Sequence, residues 1–199
     1  MTDYFSLLDQ PRRPWLNPAP LKEVFLTRSA EVHPDRVHGA SEADRVAATQ
    51  RFAELNAAHA CLREPRDRLR HLLELELGRK PSDLQEMPES FASLFMEIAG
   101  ICREADGVIA RQATITSPLL RVQCLEEVHG WIERLQALQR RINDRHNELL
   151  NELRVVDVSW ASGGERKALF PELERICRWL GFFGRWQAQL QDRINRLMV

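Results

Sequence analysis

His33, Pro34 and Asp35 stand together between two stretches of helical periodicity, and their types and spacing could do chemistry. His33 falls where a helix must end, so the helix dipole favours a positive ring and its protonation answers to its surroundings. Pro34 fixes the backbone and presents its neighbours in one geometry. Asp35 is a short carboxylate able to accept two parallel hydrogen bonds from an arginine. That chemistry is recognition. A helix-ending turn with solvated charges is the plainer reading of the same triplet, and only the flanking elements can decide between them.

Those elements read as helices throughout. Asp3 to Leu8 is a short apolar stretch of a helical turn or two, closed by Gln10-Pro11. Asn17-Pro18 supplies a capping side chain and a proline suited to the first helical position. Leu21, Val24, Phe25 and Val32 then recur on one face, and Pro34 ends the run. The next helix starts at Ser41, with Asp44 three residues on in the manner of a capping box. Ala48, Phe52, Leu55, His59 and Leu62 line its inner face. Glu64-Pro65 breaks the pattern, and Leu69, Leu72 and Leu73 mark a further helix ending near Gly78. No stretch alternates with period two for long enough to predict a strand. The loop is thus slung between an antiparallel helix pair, with a short helix before and a fourth helix after.

Beyond residue 79 the spacing predicts a second domain. Arg79-Lys80-Pro81-Ser82 reads as a linker, and Pro88 restarts a helix with an apolar face of Phe91, Leu94, Phe95, Ile98, Ile101, Cys102, Ala105 and Ile109. Ser117-Pro118 opens the next, whose seam runs Leu125, Val128, Ile132, Leu135, Leu138, Ile142, His146, Leu149 and Leu153 in steps of three and four. Ser159 to Gly164 is expected to be loop. After Pro171 come Leu173, Ile176, Leu180, Phe183, Leu190, Ile194 and Leu197, with Gly181-Phe182-Phe183-Gly184 expected to weaken or bend that helix. The expected architecture is all-α: residues 1–79, a linker over 80–88, and a three-helix bundle over 89–199.

Composition narrows the function classes. At 199 residues, 44% hydrophobic and 29% charged, the chain can bury a real core. A formal net charge of −1 gives no global field for nucleic acid or anionic lipid. No apolar run reaches membrane-spanning length, and Met1-Thr2-Asp3-Tyr4 has neither the basic region nor the apolar core of a signal peptide, so the expectation is a cytoplasmic protein. Cys61, Cys102, Cys124 and Cys177 are scattered without CxxC spacing, which suits reduced, packed thiols. His59 lies on an apolar stripe as a core histidine, and His38, His71, His129 and His146 share no ligand spacing. No nucleophile–base pair, metal cluster or phosphate loop points to an enzyme, so neither a cofactor nor a metal is expected.

With the helices in place, Asp3-Tyr4-Phe5-Ser6-Leu7-Leu8, His33-Pro34-Asp35 and Leu55-Asn56-Ala57-Ala58-His59 resemble a J-domain. Leu62-Arg63-Glu64-Pro65 with Arg68 through Leu75, and then Arg145-His146-Asn147-Glu148-Leu149, Trp160 and Arg178-Trp179-Leu180, resemble the HscB-type co-chaperones of iron–sulfur cluster assembly over nearly the whole chain. The resemblance implies a non-enzymatic protein whose loop docks on a heat-shock-protein-70-class chaperone of the DnaK or HscA type and stimulates its ATPase. Its bundle would hold the iron–sulfur cluster scaffold protein.

Residue by residue, the resemblance assigns chaperone binding to His33, Pro34 and Asp35, with Asp35 meeting a partner arginine. Lys22 and Arg36 are the supporting cations. Lys22 and Arg28 are offset by Glu23 and Glu31, and Arg28 falls on the inward stripe, where its stem can pack. Scaffold binding falls to Phe91, Phe95, Met96, Glu97 and Glu104, in one of two registers. Aligned on Phe91, the chain has Ala92 and Ser93 where larger apolar residues are usual. Aligned on Phe95-Met96-Glu97, it has Gly100 and Arg103 where acids are usual. The rival readings are a J-domain adaptor with another client and a helical interaction protein or nucleic-acid binder using its arginines and five tryptophans.

Overall fold

The computed structural model describes residues 2–33, 41–79, 89–163 and 165–198. Among them all regular structure is helical: α1 (Tyr4–Leu7), α2 (Pro18–Glu31), α3 (Glu42–Arg63), α4 (Pro65–Leu77), α5 (Glu89–Thr114), α6 (Pro118–Ala161), a 3-10 turn (Arg166–Leu169) and α7 (Phe170–Leu197). Two compact units make up the chain. One gathers Met1–Ser82 with Asn151–Arg178, and the other Asp83–Leu150 with Trp179–Val199.

Local chemistry accounts for the helix ends of the first unit. The Asp3 carboxylate accepts from the backbone N–H of Phe5 at 3.0 Å and of Ser6 at 3.3 Å, starting α1. Asn17 Oδ1 accepts from Ala19 N at 3.1 Å, with Pro18 opening α2. Ser41 Oγ accepts from Asp44 N at 3.2 Å, as the capping-box pattern predicts, and its hydroxyl donates to the Asp44 carboxylate. Gly78 ends α4 at φ +66°, a left-handed position that glycine fills without a Cβ penalty.

Packing then closes this unit around Phe5, Leu8, Leu21, Leu55, Leu62, Leu69, Leu72 and Leu73, with Leu153, Trp160, Leu173 and Ile176 also buried. The segment between α1 and α2 is tied down by polar groups that read its backbone. Trp160 Nε1 donates to Arg12 O at 2.9 Å. Buried Arg68 donates to Pro14 O at 2.8 Å and Leu62 O at 2.7 Å, and burial pushes its pKa down to about 10. Asp157 is only 3% exposed; it accepts from Arg13 and, at 3.2 Å, from the Trp15 N–H. Asp157, Trp160 and Arg68 therefore bind the stretch at 12–15 by hydrogen bonds to side chain and backbone alike.

In the second unit α5, α6 and α7 pack side by side as a bundle. Glu97 and Arg141 join α5 to α6, Gln139–Gln191 and Asn143–Gln187 join α6 to α7, and Arg193 reaches Cys102 O and Asp106 on α5. Ile98, Cys102, Ala105, Leu135, Leu138, Ile142, Phe183, Leu190 and Ile194 fill its interior.

Three expectations need correction. Ser159, Trp160 and Ala161 are not loop: α6 runs through Ala161, because fully buried Trp160 anchors its last turn. The Gly181–Gly184 stretch does not interrupt α7, which is helical from Phe170 to Leu197. Each glycine costs a helix about 1 kcal/mol, but Trp179, Phe183 and Trp186 are buried beside them and touch ring to ring, with centroids 5.7–6.1 Å apart. Leu125 is the third: the seam predicted it buried, yet it is 60% exposed.

Candidate functional site

His33 follows directly on the C-terminal cap of α2, where Val32 leaves the helix at φ −107° and ψ 15°. Its ring meets the edge of Phe52 on α3, with centroids 5.3 Å apart and planes at 80°. Farther along the pair, His59 of α3 stacks on Phe25 of α2 at 4.1 Å and 10°. Two aromatic contacts thus fix α2 against α3, one of them at the residue that begins the loop. Pro34, Asp35 and Arg36 lie outside the described residues.

The cations around the loop divide by role. Arg28 donates to Leu7 O at 2.7 Å and pairs with Asp9, so its charge is spent holding the end of α1. Lys22 is exposed on α2, eleven residues before His33 and so about 16 Å along the helix axis. Burial first, then the charges of Arg63 and Lys22, lower the pKa of His59. The His59 ring is held against Phe25 between the two helices.

The remaining titratable groups have structural surroundings. His71 Nε2 accepts from Tyr4 N at 3.1 Å, its ring stacks on Tyr4 at 4.6 Å, and burial lowers its pKa. The four cysteines form no disulfide, and Cys61 lies against Asp67 O at 3.5 Å with its thiol pushed up to about 11, chiefly by burial. Such a thiol is a poor nucleophile at neutral pH. Among the described residues no three His, Cys, Asp or Glu side chains gather as metal ligands, and no helix is long and apolar enough to cross a membrane.

The second candidate surface is on α5. Met96 is 68% exposed and Phe95 40%, Phe95 at the edge of the face on which Ile98, Cys102, Ala105 and Ile109 are buried. Glu104 is exposed; Glu97 is held by Arg141 through two hydrogen bonds of 2.5 and 3.1 Å. Phe91 belongs to α5, but its side chain lies outside the described residues. Met96 and Glu104 are eight residues apart, so their side chains diverge by about 80° around the helix. The residues sequence reasoning missed are Phe52, which it placed in the core without linking it to His33, and Arg141, whose pairing needs the bundle's register. Phe52 carried a signal: an aromatic on the inner face, one helix away from the loop.

No family model matches the chain. Curated relatives do. A "Co-chaperone protein HscB homolog" of Cupriavidus taiwanensis is 30% identical over 153 residues, covering 76% of this chain and 69% of the relative. One of Chromobacterium violaceum is 27% identical over 152 residues, covering 76% and 74%. One of Bordetella pertussis reaches 43% over 72 residues, 36% of this chain and 42% of the relative. Among solved structures, chaperone HscB from Vibrio cholerae superposes with a TM-score of 0.59 at 22% identity over 98% of this chain and 99% of that one. The human co-chaperone protein HscB gives 0.63 at 19% identity over 96% and 84%. At such identities the two structures establish a shared fold.

Proposed function

The chain belongs to the HscB co-chaperone family, and from that premise we propose that it binds a heat-shock-protein-70-class chaperone of the DnaK or HscA type, stimulates its ATPase, and delivers an iron–sulfur cluster scaffold protein to it. It is not itself an enzyme; the hydrolysis belongs to the partner. Residues 1–79 act as the J-domain, 80–88 as linker and 89–199 as the client-binding bundle, in the cytoplasm.

The observation that supports this reading best is the edge contact of His33 with Phe52, which anchors the start of the loop on α3. A loop held at its first residue loses less conformational freedom on docking, and that saving favours binding. Pro34 restricts the backbone further, and Asp35 offers its carboxylate to an arginine of the partner. Lys22 and Arg36 supply the positive charge that steers the approach, weakly, because Glu23 and Glu31 stand close in sequence. On the bundle, Phe95 and Met96 present apolar surface, Glu104 presents charge, and Glu97 reaches the client while held in place by Arg141; Phe91 is assigned to the same client by the family resemblance.

Asp35→Asn tests the proposal. It removes the charge but keeps the shape, so stimulation of the partner's ATPase should vanish while the helical circular-dichroism signal and thermal midpoint stay unchanged. Undiminished stimulation by the variant would overturn the assignment of the loop.

A further inference from the structure

Between the stretch at residues 10–20 and the end of α6 runs a groove of about 700 Å³ that the co-chaperone function does not use. Pro11, Trp15, Leu16 and Pro20 line one wall, Arg154 and Val158 the other, and all belong to one compact unit. The first wall is built in advance. Arg12 O accepts from Trp160 Nε1 at 2.9 Å, Pro14 O accepts from Arg68 Nε at 2.8 Å, and the Trp15 N–H donates to Asp157 at 3.2 Å. Pro11, Pro14, Pro18 and Pro20 restrict the same backbone. A wall so fixed loses little freedom when a partner settles on it.

We propose that this groove binds an extended, acidic peptide segment of another protein, in which an acid and an apolar residue stand two positions apart. Charge sets the sign. Arg13 is paired with Asp157, whereas Arg154 has no carboxylate partner among the described residues and donates to Asn151 at 3.4 Å. The lining thus keeps one uncompensated positive charge. The N-terminus of α2 borders the groove at Asn17 and Pro20, and the positive end of its dipole adds to that charge. Spacing sets the register. The guanidinium carbon of Arg154 lies 5.5 Å from the centre of the Trp15 ring. Same-side residues of an extended chain are roughly 7 Å apart, so a carboxylate on Arg154 sets the residue two positions on against Trp15.

Tryptophan and arginine are the residue types that most often dominate binding energy, and here the two stack on a fixed wall. Trp15 is only partly buried, so some of its ring stays open to a partner. The apolar surface also continues past the groove: Val155 and Val158, three positions apart on α6, are each 69% exposed. A small molecule seated in the groove leaves Val155 in water, whereas a chain passing through it covers both valines. The occupant is therefore a peptide segment. Its affinity is modest, because so short a segment covers far less than the roughly 1,200 Å² of a tight complex.

The probe is a blocked pentapeptide, glutamate-serine-leucine-serine-glutamate, titrated into the full chain while the indole N–H signals are followed by NMR. The Trp15 signal, identified by its loss in Trp15→Phe, should shift and saturate with a Kd of roughly 50–500 µM. The signal of Trp131, in the other unit, should not move. Arg154→Glu and Val158→Asp change exposed side chains and leave the fold intact, and each should weaken binding about tenfold. The same peptide with lysines for its glutamates, or with glycine for its leucine, should not bind measurably. No saturable shift of Trp15 up to about 2 mM peptide overturns the proposal. So does a lysine peptide that binds as tightly, or an affinity indifferent to Arg154→Glu. Benzoate bound as tightly as the peptide also overturns it, since the groove would then be a site for small aromatic acids.

Discussion

Replacing Asp157 by alanine should destabilise the first unit by about 2–3 kcal/mol, and the figure follows from what the carboxylate touches. Asp157 is buried and accepts from Arg13 Nε at 3.2 Å, from Arg13 Nη2, and from the Trp15 backbone N–H at 3.2 Å. Losing it strands the Trp15 N–H, which costs about 1–3 kcal/mol for a buried donor without a partner. The ion pair adds less than a fully buried one would, because the Arg13 side chain is 38% exposed and regains water; about 1 kcal/mol is a fair share. For a chain of this length the sum lowers the melting temperature by roughly 4–12 °C. Asp157→Asn keeps an acceptor for Trp15 and loses only the charge, so it should cost about half as much. Urea unfolding followed by circular dichroism at pH 7.5 reads both variants. A loss below about 0.5 kcal/mol for alanine, or equal losses for alanine and asparagine, would refute the claim that this carboxylate pins residues 13–15.

Stability should also fall in mild acid. His71 and His59 have lowered folded pKa values, so the unfolded chain binds more protons below pH 6.5, and stability present above that pH is lost as pH drops through the folded values. Urea midpoints at pH 7.5 and 5.0 should differ in that direction, and less so in His71→Phe. One substitution should have opposite signs at two glycines: Gly184→Ala, in an exposed helical position with open space for a Cβ, should stabilise by about 0.5–1 kcal/mol, while Gly78→Ala at φ +66° should destabilise by about 1 kcal/mol. Thermal melts decide it. Phe52→Ala removes the ring against His33, a contact of about 0.5–1.5 kcal/mol, and should lower the apparent affinity for the partner chaperone about three- to tenfold. A titration of partner ATPase that shows no shift would count against the positioning of the loop. Met96→Asp should leave the melting temperature unchanged and weaken retention of the scaffold protein, because this side chain is 68% exposed.

What sequence can carry here is local chemistry and periodicity. Asn17, Ser41, Pro65 and Gly78 mark helix ends through short-range capping rules, and all four act as those rules predict. The α6 seam was legible from Val128 to Leu153 because a bundle buries a regular stripe. Leu125 escaped because exposure depends on where α7 lies, a non-local fact. The Gly181–Gly184 stretch misled because helix propensity is weak beside the burial of Trp179, Phe183 and Trp186. Asp157 offered no signal at all: it sits among valines on a helix, and its partners are more than 140 residues away. Of the candidate site, His33 could be read from its motif, but its support by Phe52 needed the α2–α3 pairing.

The measurement closest to the central claim is the steady-state ATPase rate of a heat-shock-protein-70-class partner, taken with this chain alone, with the iron–sulfur scaffold protein alone, and with both. A co-chaperone that joins a J-domain to a client-binding bundle predicts stimulation by the chain alone and a rate with both that exceeds the sum of the separate effects. An ATPase rate indifferent to the chain, with or without the scaffold, would contradict the account.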